Sequence, residues 1–274
     1  MNNYIIRQNK KILAEVFIYN NINNNKEELV ESILKEVPYI KSIGYAGYLS
    51  KDALKKFLSW GIIKEENNAK IKKIKEKESL KEIKKILNKF KDITKYEKKL
   101  YIFLFSTFES NIIKKLVGIS GYCTWKNTII IFIYPINGWN ESLRETFGHE
   151  LAHSLSPYYH KENTIGEWLI FEGIAEHFRE HFDKSGKSDI VKSISKIKSM
   201  KILNSIKSKL YIKNEELHTE LFYGTGRYPL WSGYSIGYYI VENYLKKQKK
   251  INWNKIVEIN PKIILKNKII YFSK

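Results

Sequence analysis

The sequence predicts an α+β fold, in which a small sheet near the middle of the chain is followed by a mainly helical C-terminal part. Residues 101–106 and 128–134 are short runs of β-branched and aromatic residues bounded by glycine and proline, which is typical of strands. After Gly138 the apolar residues recur at helical spacing, which predicts a series of helices.

Helical patterns also precede the strands. Residues 26–37 and 51–60 predict short helices, with a turn at Gly44 and Gly47. Residues 65–95 are lysine-rich, and their apolar positions approximate one face of a helix that packs on the body of the protein. We expect four longer helices in the C-terminal part, at residues 143–155, 165–182, 189–210 and 234–247. The sequence thus divides into a mainly helical, lysine-rich region, 1–97, and a second domain, 98–274.

Composition indicates a folded protein, because 43% of the 274 residues are hydrophobic and 14% are aromatic. The single cysteine, Cys123, cannot form an intramolecular disulfide, and no apolar run approaches the roughly 20 residues of a membrane span. A cytoplasmic location is therefore expected. The net charge of +19 would suggest a nucleic-acid partner, but only four of the 48 basic residues are arginine. Since lysine lacks the bidentate fork of arginine, we expect no specific nucleic-acid binding.

Residues 149–153 contain the pattern HExxH. On a helix, positions i and i+4 share a face, so His149 and His153 can direct both imidazoles to one Zn²⁺ ion at about 2.0–2.1 Å. Glu150 is rotated off that line and can act as general base toward water activated by the metal. A buried histidine pair held by hydrogen bonds would show the same spacing, so the prediction depends on a third ligand.

The helical state of this segment is supported by its flanks. Ser142 and Glu145 form a capping-box pattern, and Pro157 ends the helix after the motif. An apolar stripe for burial is formed by Leu143, Phe147 and Leu151.

The predicted third ligand is Glu172, nineteen positions after His153, on a helix opened by a second capping box at Thr164 and Glu167. Gly173 beside it would let the two helices approach closely. One turn on, Glu176 shares the face of Glu172 and can accept the outer N–H of a ligating imidazole. His177 and His181 form a further i, i+4 pair, which we interpret as histidines on the helix surface.

Other zinc patterns fit less well. The extended form HExxHxxGxxH requires glycine at 156 and histidine at 159, where this chain has Ser156 and Tyr159. Cys123 lacks the surrounding sequence of enzymes that use a cysteine ligand, so we expect a buried, inert thiol.

Three segments carry a family resemblance: residues 148–153 (GHELAH), 171–176 (FEGIAE) and 229–238 (PLWSGYSIGY) followed by Ile240 and Val241. The chain resembles the gluzincins, and more closely the YjaZ-type bacterial family of predicted zinc-dependent proteases, over roughly residues 100–265. The N-terminal third matches only loosely.

This resemblance implies a zincin-like fold, with a small mixed sheet over an active-site helix. An edge strand at 128–134 would lie above the cleft and bind an extended peptide by main-chain pairing. Residues 231–238 would lie near the metal, where a tyrosine hydroxyl stabilises the oxyanion in this class. Tyr234 is then the first candidate and Tyr238 the second, with a core aromatic role as the alternative for each; His218 and Arg227 are weaker candidates.

Three functions compete. The chain can be a zinc peptidase acting on a peptide or protein substrate, a zinc-stabilised protein that binds a peptide or partner without cleaving it, or a lysine-driven nucleic-acid binder. Glu150 favours the peptidase over a structural zinc site, which normally has a closed shell of four ligands.

Overall fold

The computed structural model describes residues 2–8, 10–20, 26–36, 54–55, 58–59, 72–93, 99–125, 127–159 and 163–266. The chain divides into two compact units, Met1–Glu150 and Leu151–Lys274. The described strands all belong to the first unit and the second is helical, which confirms the predicted α+β class. The domain boundary at residue 97 stays a prediction. The turn at Gly44 and Gly47 and most of the predicted helix at 51–60 lie outside the described residues.

One five-stranded mixed sheet has the order β1-β2-β3-β5-β4. The strands are β1 (Asn2–Gln8), β2 (Lys11–Tyr19), β3 (Leu100–Ser106), β4 (Ile119–Trp125) and β5 (Thr128–Ile133). β2, β3 and β5 run parallel, while β1 and β4 pair antiparallel at the two ends. The sheet confirms the predicted strands at 101–106 and 128–134. The sequence analysis does not predict β1 and β2, because Arg7, Lys11 and Glu15 interrupt their apolar residues.

Both faces of the central strands are buried. Phe103 and Phe105 of β3 lie on the same face as Ile130 and Phe132 of β5, and they pack with helix α1 (Lys26–Glu36). The alternate residues of β5 are buried as well. A strand covered on both faces needs apolar residues at every position, so β5 shows no alternation.

The lysine-rich segment forms helix α2 (Glu76–Ile93). Its apolar residues Ile83, Ile86, Leu87 and Phe90 are buried, and Lys77, Lys81, Lys84, Lys85 and Lys89 are exposed. The predicted amphipathic helix is therefore confirmed from residue 76 onward. A short helix, α3 (Ser110–Lys115), follows β3 and is capped by the Glu109 carboxylate, which accepts from the Ile112 N–H.

The motif helix α4 (Trp139–Leu155) contains HExxH within one continuous helix. It begins three residues earlier than the predicted cap, directly after Gly138, whose φ of +82° favours glycine. Ser142 is therefore not the N-cap. Its hydroxyl instead donates to the carbonyl O of Leu116 at 3.2 Å, which ties the first turns of α4 to the loop before β4.

The second unit contains α5 (Ile165–Asp183), α6 (Lys196–Ser205), α7 (Glu215–Tyr223), α8 (Ser232–Lys246), α9 (Trp253–Val257) and α10 (Pro261–Lys266). The Thr164–Glu167 capping box at the start of α5 is confirmed. The predicted single helix at 189–210 is wrong, because short 3-10 turns flank α6 and Ser195 caps it. A serine hydroxyl that accepts a backbone N–H favours a helix start over a helix interior.

Helices α5 and α8 pack at very close range through two glycines. A Cβ at Gly173 would overlap the carbonyl oxygen of Gly237, and a Cβ at Gly237 would overlap that of Leu169. Gly173 thus permits a close helix contact, but its partner is α8 and not the HExxH helix, as the sequence had suggested. This contact fixes α8 against the turn of α5 that carries Glu172.

We expect Gly237→Ala to destabilise the protein by about 1–3 kcal/mol, because the new methyl group overlaps backbone that cannot rotate away. In an open helix the same change would stabilise by about 0.5–1 kcal/mol, so the sign is diagnostic. Urea unfolding measures the difference. Lys201→Ala, at an exposed position of α6, is the matched control and should change the free energy of unfolding by less than about 0.5 kcal/mol. A Gly237→Ala protein more stable than the native one would contradict the close contact.

Candidate metal centre

Three predicted ligands meet in the structure. One ligand atom each from His149, His153 and Glu172 lies within 4.8 Å of the others. The His153 Nε2 and Glu172 Oε2 atoms are 3.4 Å apart. Two donors held about 2.1 Å from a tetrahedral centre are about 3.4 Å from each other, so this pair already has the spacing of zinc ligands.

All three side chains are shielded from solvent. The exposed fractions are 9% for His149, 2% for His153 and 6% for Glu172. A carboxylate is rarely buried unless positive charge compensates it, and a divalent cation bound by all three side chains would do so. The donor set of two imidazoles and one carboxylate is that of catalytic zinc sites, which keep a fourth position for water or substrate.

Contacts at the start of α5 fix the position of Glu172. The Thr164 hydroxyl accepts from the Glu167 N–H, and the Glu167 carboxylate accepts from the Thr164 N–H at 2.8 Å. The next two N–H groups, of Ile165 and Gly166, donate to carbonyl oxygens of residues 212 and 210. With its first turn held in this way, α5 presents Glu172 from its third turn.

An aromatic residue that sequence reasoning missed holds His153. The Tyr159 ring stacks on the His153 imidazole at 3.9 Å between centroids and 15° between planes. Trp168 and Phe171 of α5 contact the Tyr159 ring edge-on. In the sequence, position 159 stands out only as a possible histidine ligand. No local pattern signals a stacking role, because that role depends on the contacts that α5 makes with Tyr159.

Glu150 lies against strand β4. A Cβ at Gly121 would be 2.7 Å from the Glu150 Cγ and 2.5 Å from the Thr146 Cγ2. Burial raises the pKa of the Cys123 thiol, and the charge of Glu150 raises it further. The carboxylate is therefore close to two alternate residues of β4, and Gly121 is what allows the strand to approach. Cys123 is buried, as predicted, and is not part of the metal-ligand group found among the described residues.

The edge strand beside Glu150 is β4, so the expectation that residues 128–134 form the edge is wrong. β5 has β3 on one side and β4 on the other. After Thr128 its sequence is entirely apolar, which is typical of an interior strand. β4 carries Ser120, Gly121 and Tyr122 and pairs with β5 alone among the described strands.

Glu176 has partners of its own. Its Oε2 accepts from the Ser188 hydroxyl at 2.8 Å and from the Arg179 Nε at 3.2 Å. Arg179 is fully buried and also donates to the Ser185 hydroxyl and the Gly186 carbonyl. This network anchors the segment after α5, and a hydrogen bond from Glu176 to a ligating imidazole stays a prediction.

The side chains considered for stabilising the oxyanion lie in different surroundings. The Tyr238 hydroxyl donates to the Glu180 carboxylate at 2.7 Å, two turns or about 12 Å along α5 from Glu172, so this second candidate is directed elsewhere. Arg227 is 63% exposed and paired with Glu220 at 2.9 Å. Tyr234 is half-buried, with its ring against Phe222, and its role stays a prediction.

His218 gains support from its surroundings. Burial lowers the pKa of His218, and the negative charges of Glu172 and then Glu215 act in the opposite sense. Its ring packs against Trp168 and Phe222 at 5.2 and 4.7 Å between centroids. His218 thus lies in a partly buried, aromatic environment, close enough to Glu172 for the charge of that carboxylate to act on its pKa.

His177 and His181, the second histidine pair, differ in burial. His177 is buried, which corrects the surface interpretation: its ring stacks on Tyr238 at 3.9 Å and its Nε2 lies 3.0 Å from the Tyr238 carbonyl. Burial lowers the pKa of His177. His181 is exposed, as predicted.

Comparison with known families agrees with the geometry. Residues 76–266 match the model of the family described as predicted Zn-dependent protease (DUF2268). The chain belongs to this family. The match includes the HExxH helix and all of α5. Searches of curated proteins and of solved structures gave no significant match. In the described part of this family member, no helix combines the length and apolar character of a membrane span.

We expect purified protein to bind one zinc ion per chain and to lose it when a ligand is removed. Zinc at about 100 times its dissociation constant should stabilise the native chain by about 2.7 kcal/mol. Glu172→Ala and His153→Ala should show little of this shift in thermal unfolding, and His181→Ala, an exposed histidine on α5, should keep it. Calorimetric titration of the metal-free proteins gives the affinities. Native zinc affinity in Glu172→Ala, with native circular dichroism, would exclude Glu172 as a ligand.

Proposed function

We propose that this chain is a zinc peptidase in which His149, His153 and Glu172 hold the metal and Glu150 is the general base. The convergence of the three donors within 4.8 Å is the observation that carries the proposal. Glu150 follows His149 on the same helix and is therefore next to this group. Membership of a family of predicted Zn-dependent proteases supports it.

Zinc held by these side chains would act as a Lewis acid toward water and the scissile carbonyl. Glu150 then accepts the proton of the attacking water and later donates it to the departing amine nitrogen. The Glu150 side chain is only 7% exposed, so bulk water has little access to its carboxylate. The atoms balance as simple hydrolysis, and no covalent acyl-enzyme is needed.

The edge of β4 is the proposed binding site for the substrate main chain. An extended peptide that pairs with this strand gains hydrogen bonds regardless of its side chains. The contact between Gly121 and Glu150 brings that edge next to the general base. Peptide and protein substrates are therefore proposed, rather than small amides that offer no main chain to pair.

Tyr234 remains the first candidate for stabilising the oxyanion, and His218 replaces Tyr238 as the second. A hydrogen-bond donor in this role contributes typically about 10²–10³ in kcat. We also propose a cytoplasmic location, supported by the lone buried thiol of Cys123.

The decisive experiment compares native protein with Glu150→Gln in a peptide-library cleavage assay, beside metal analysis. We expect stoichiometric zinc in both and a loss of about 10²–10⁴ in kcat for the variant, because the amide cannot accept the proton. Glu141→Gln, an exposed substitution in the first turn of α4, should retain native activity. Equal cleavage by native protein and Glu150→Gln would exclude Glu150 as base, and zinc binding without cleavage by any form would favour a peptide-binding protein.

Gly121→Ala tests the approach of β4 to the base. The added methyl group must displace Glu150 or Thr146, and a misplacement of about 1 Å in the reacting geometry costs on the order of 10² in rate. We expect kcat to fall while zinc affinity stays native. Lys114→Ala, at an exposed position of α3, is the control and should retain native kcat. Native kcat in Gly121→Ala would show that this contact does not position the base.

A further inference from the structure

We propose that the groove between strand β1 and helix α2 is a docking site for an extended, acidic peptide segment of a partner protein. The groove has a volume of about 520 Å³ and is lined by residues 4–7 of β1 and by one face of α2. It lies within the first unit, and its role does not depend on the proposed hydrolysis.

The helix face that lines the groove carries charge of a single sign. Lys77, Lys81, Lys84 and Lys85 lie at positions i, i+4, i+7 and i+8, which share one side of an α-helix. No acidic residue lines the groove. In sequence, lysine and glutamate alternate irregularly through this segment, and only the helical geometry separates them.

The carboxylates near the groove have hydrogen-bond or ion-pair partners. Glu76 accepts hydrogen bonds from the Tyr4 hydroxyl and from Asn2 and Asn20. Glu78 pairs with Lys75, and Glu82 accepts from both Lys85 and Arg144. These α2 carboxylates are therefore already paired, although Glu76 and Glu82 contact the groove residues Tyr4 and Lys85.

Of the five cations that line the groove, Lys85 pairs with Glu82. Among the described residues no carboxylate forms an ion pair with Arg7, Lys77, Lys81 or Lys84. Like charges that line a concave surface with low-dielectric walls reinforce each other's potential. The groove thus attracts anions more strongly than the same number of lysines spread over a convex surface.

The strand side of the groove favours a polypeptide over a nucleic acid. β1 is the end strand of the described sheet, so alternate residues direct main-chain N–H and C=O groups away from β2. An incoming strand can pair with these groups, while its acidic side chains reach the lysines. Ile5, which is 49% exposed, adds an apolar contact that a phosphate backbone would not use.

The test uses a fluorescein-labelled peptide that alternates glutamate with valine, titrated with the full-length protein at about 0.15 M salt, where exposed charges are screened beyond about 8 Å. We expect saturable binding that Lys81→Glu/Lys84→Glu weakens on the order of tenfold or more. Lys198→Glu/Lys201→Glu is the matched control, with the same i, i+3 spacing, the same charge change and exposed positions on α6, and it should bind as the native protein does. Circular dichroism verifies that both variants fold.

A second peptide, with the same charges but N-methylated at alternate main-chain nitrogens, tests strand pairing and should bind on the order of tenfold more weakly. Equal loss of binding in the two double variants would overturn the site, because total charge would then explain it. Equal binding of the N-methylated peptide, or tighter binding of a duplex DNA lost in Lys81→Glu/Lys84→Glu, would overturn the peptide as occupant.

Discussion

The placement of the Glu172 carboxylate opposite the imidazole pair is the constraint on which the proposed chemistry depends. Its Oε2 lies 3.4 Å from the His153 Nε2 in a nearly dry environment. Removing a carboxylate from water costs several kcal/mol unless positive charge compensates. One turn further along α5, Glu176 meets the same demand through the buried Arg179 guanidinium. For Glu172, a divalent cation shared with His149 would serve that purpose and would draw the three donors together.

The surrounding packing leaves these side chains little freedom. The capping box fixes the start of α5, and the contact between Gly173 and Gly237 fixes α8 against it. The stack of Tyr159 on His153 restricts the rotation of this imidazole. A site supported by backbone contacts and by rings loses less entropy on metal binding than one built from mobile side chains, so the ligand positions are preorganised.

The distribution of charge is more informative than the total. A net charge of +19 is consistent with many surfaces, and lysine accounts for most of it. On α2, Glu78 and Glu82 form ion pairs, and Lys77, Lys81, Lys84 and Lys85 line a groove. The same composition in an unfolded segment would mix the two signs along the chain and produce no directed potential.

Features that depend on neighbouring residues could be predicted from the chain alone: the helical spacing of His149 and His153, the Thr164–Glu167 cap, the two apolar strands and the amphipathic α2. Periodicity and capping act over one or two turns, so a short stretch of sequence reveals them. Other features emerged only in the folded chain: β4 is the edge strand beside Glu150, β1 and β2 complete the sheet, His177 is buried, and Tyr159 stacks on His153. Each of these depends on contacts between segments far apart in the chain, which local pattern does not encode.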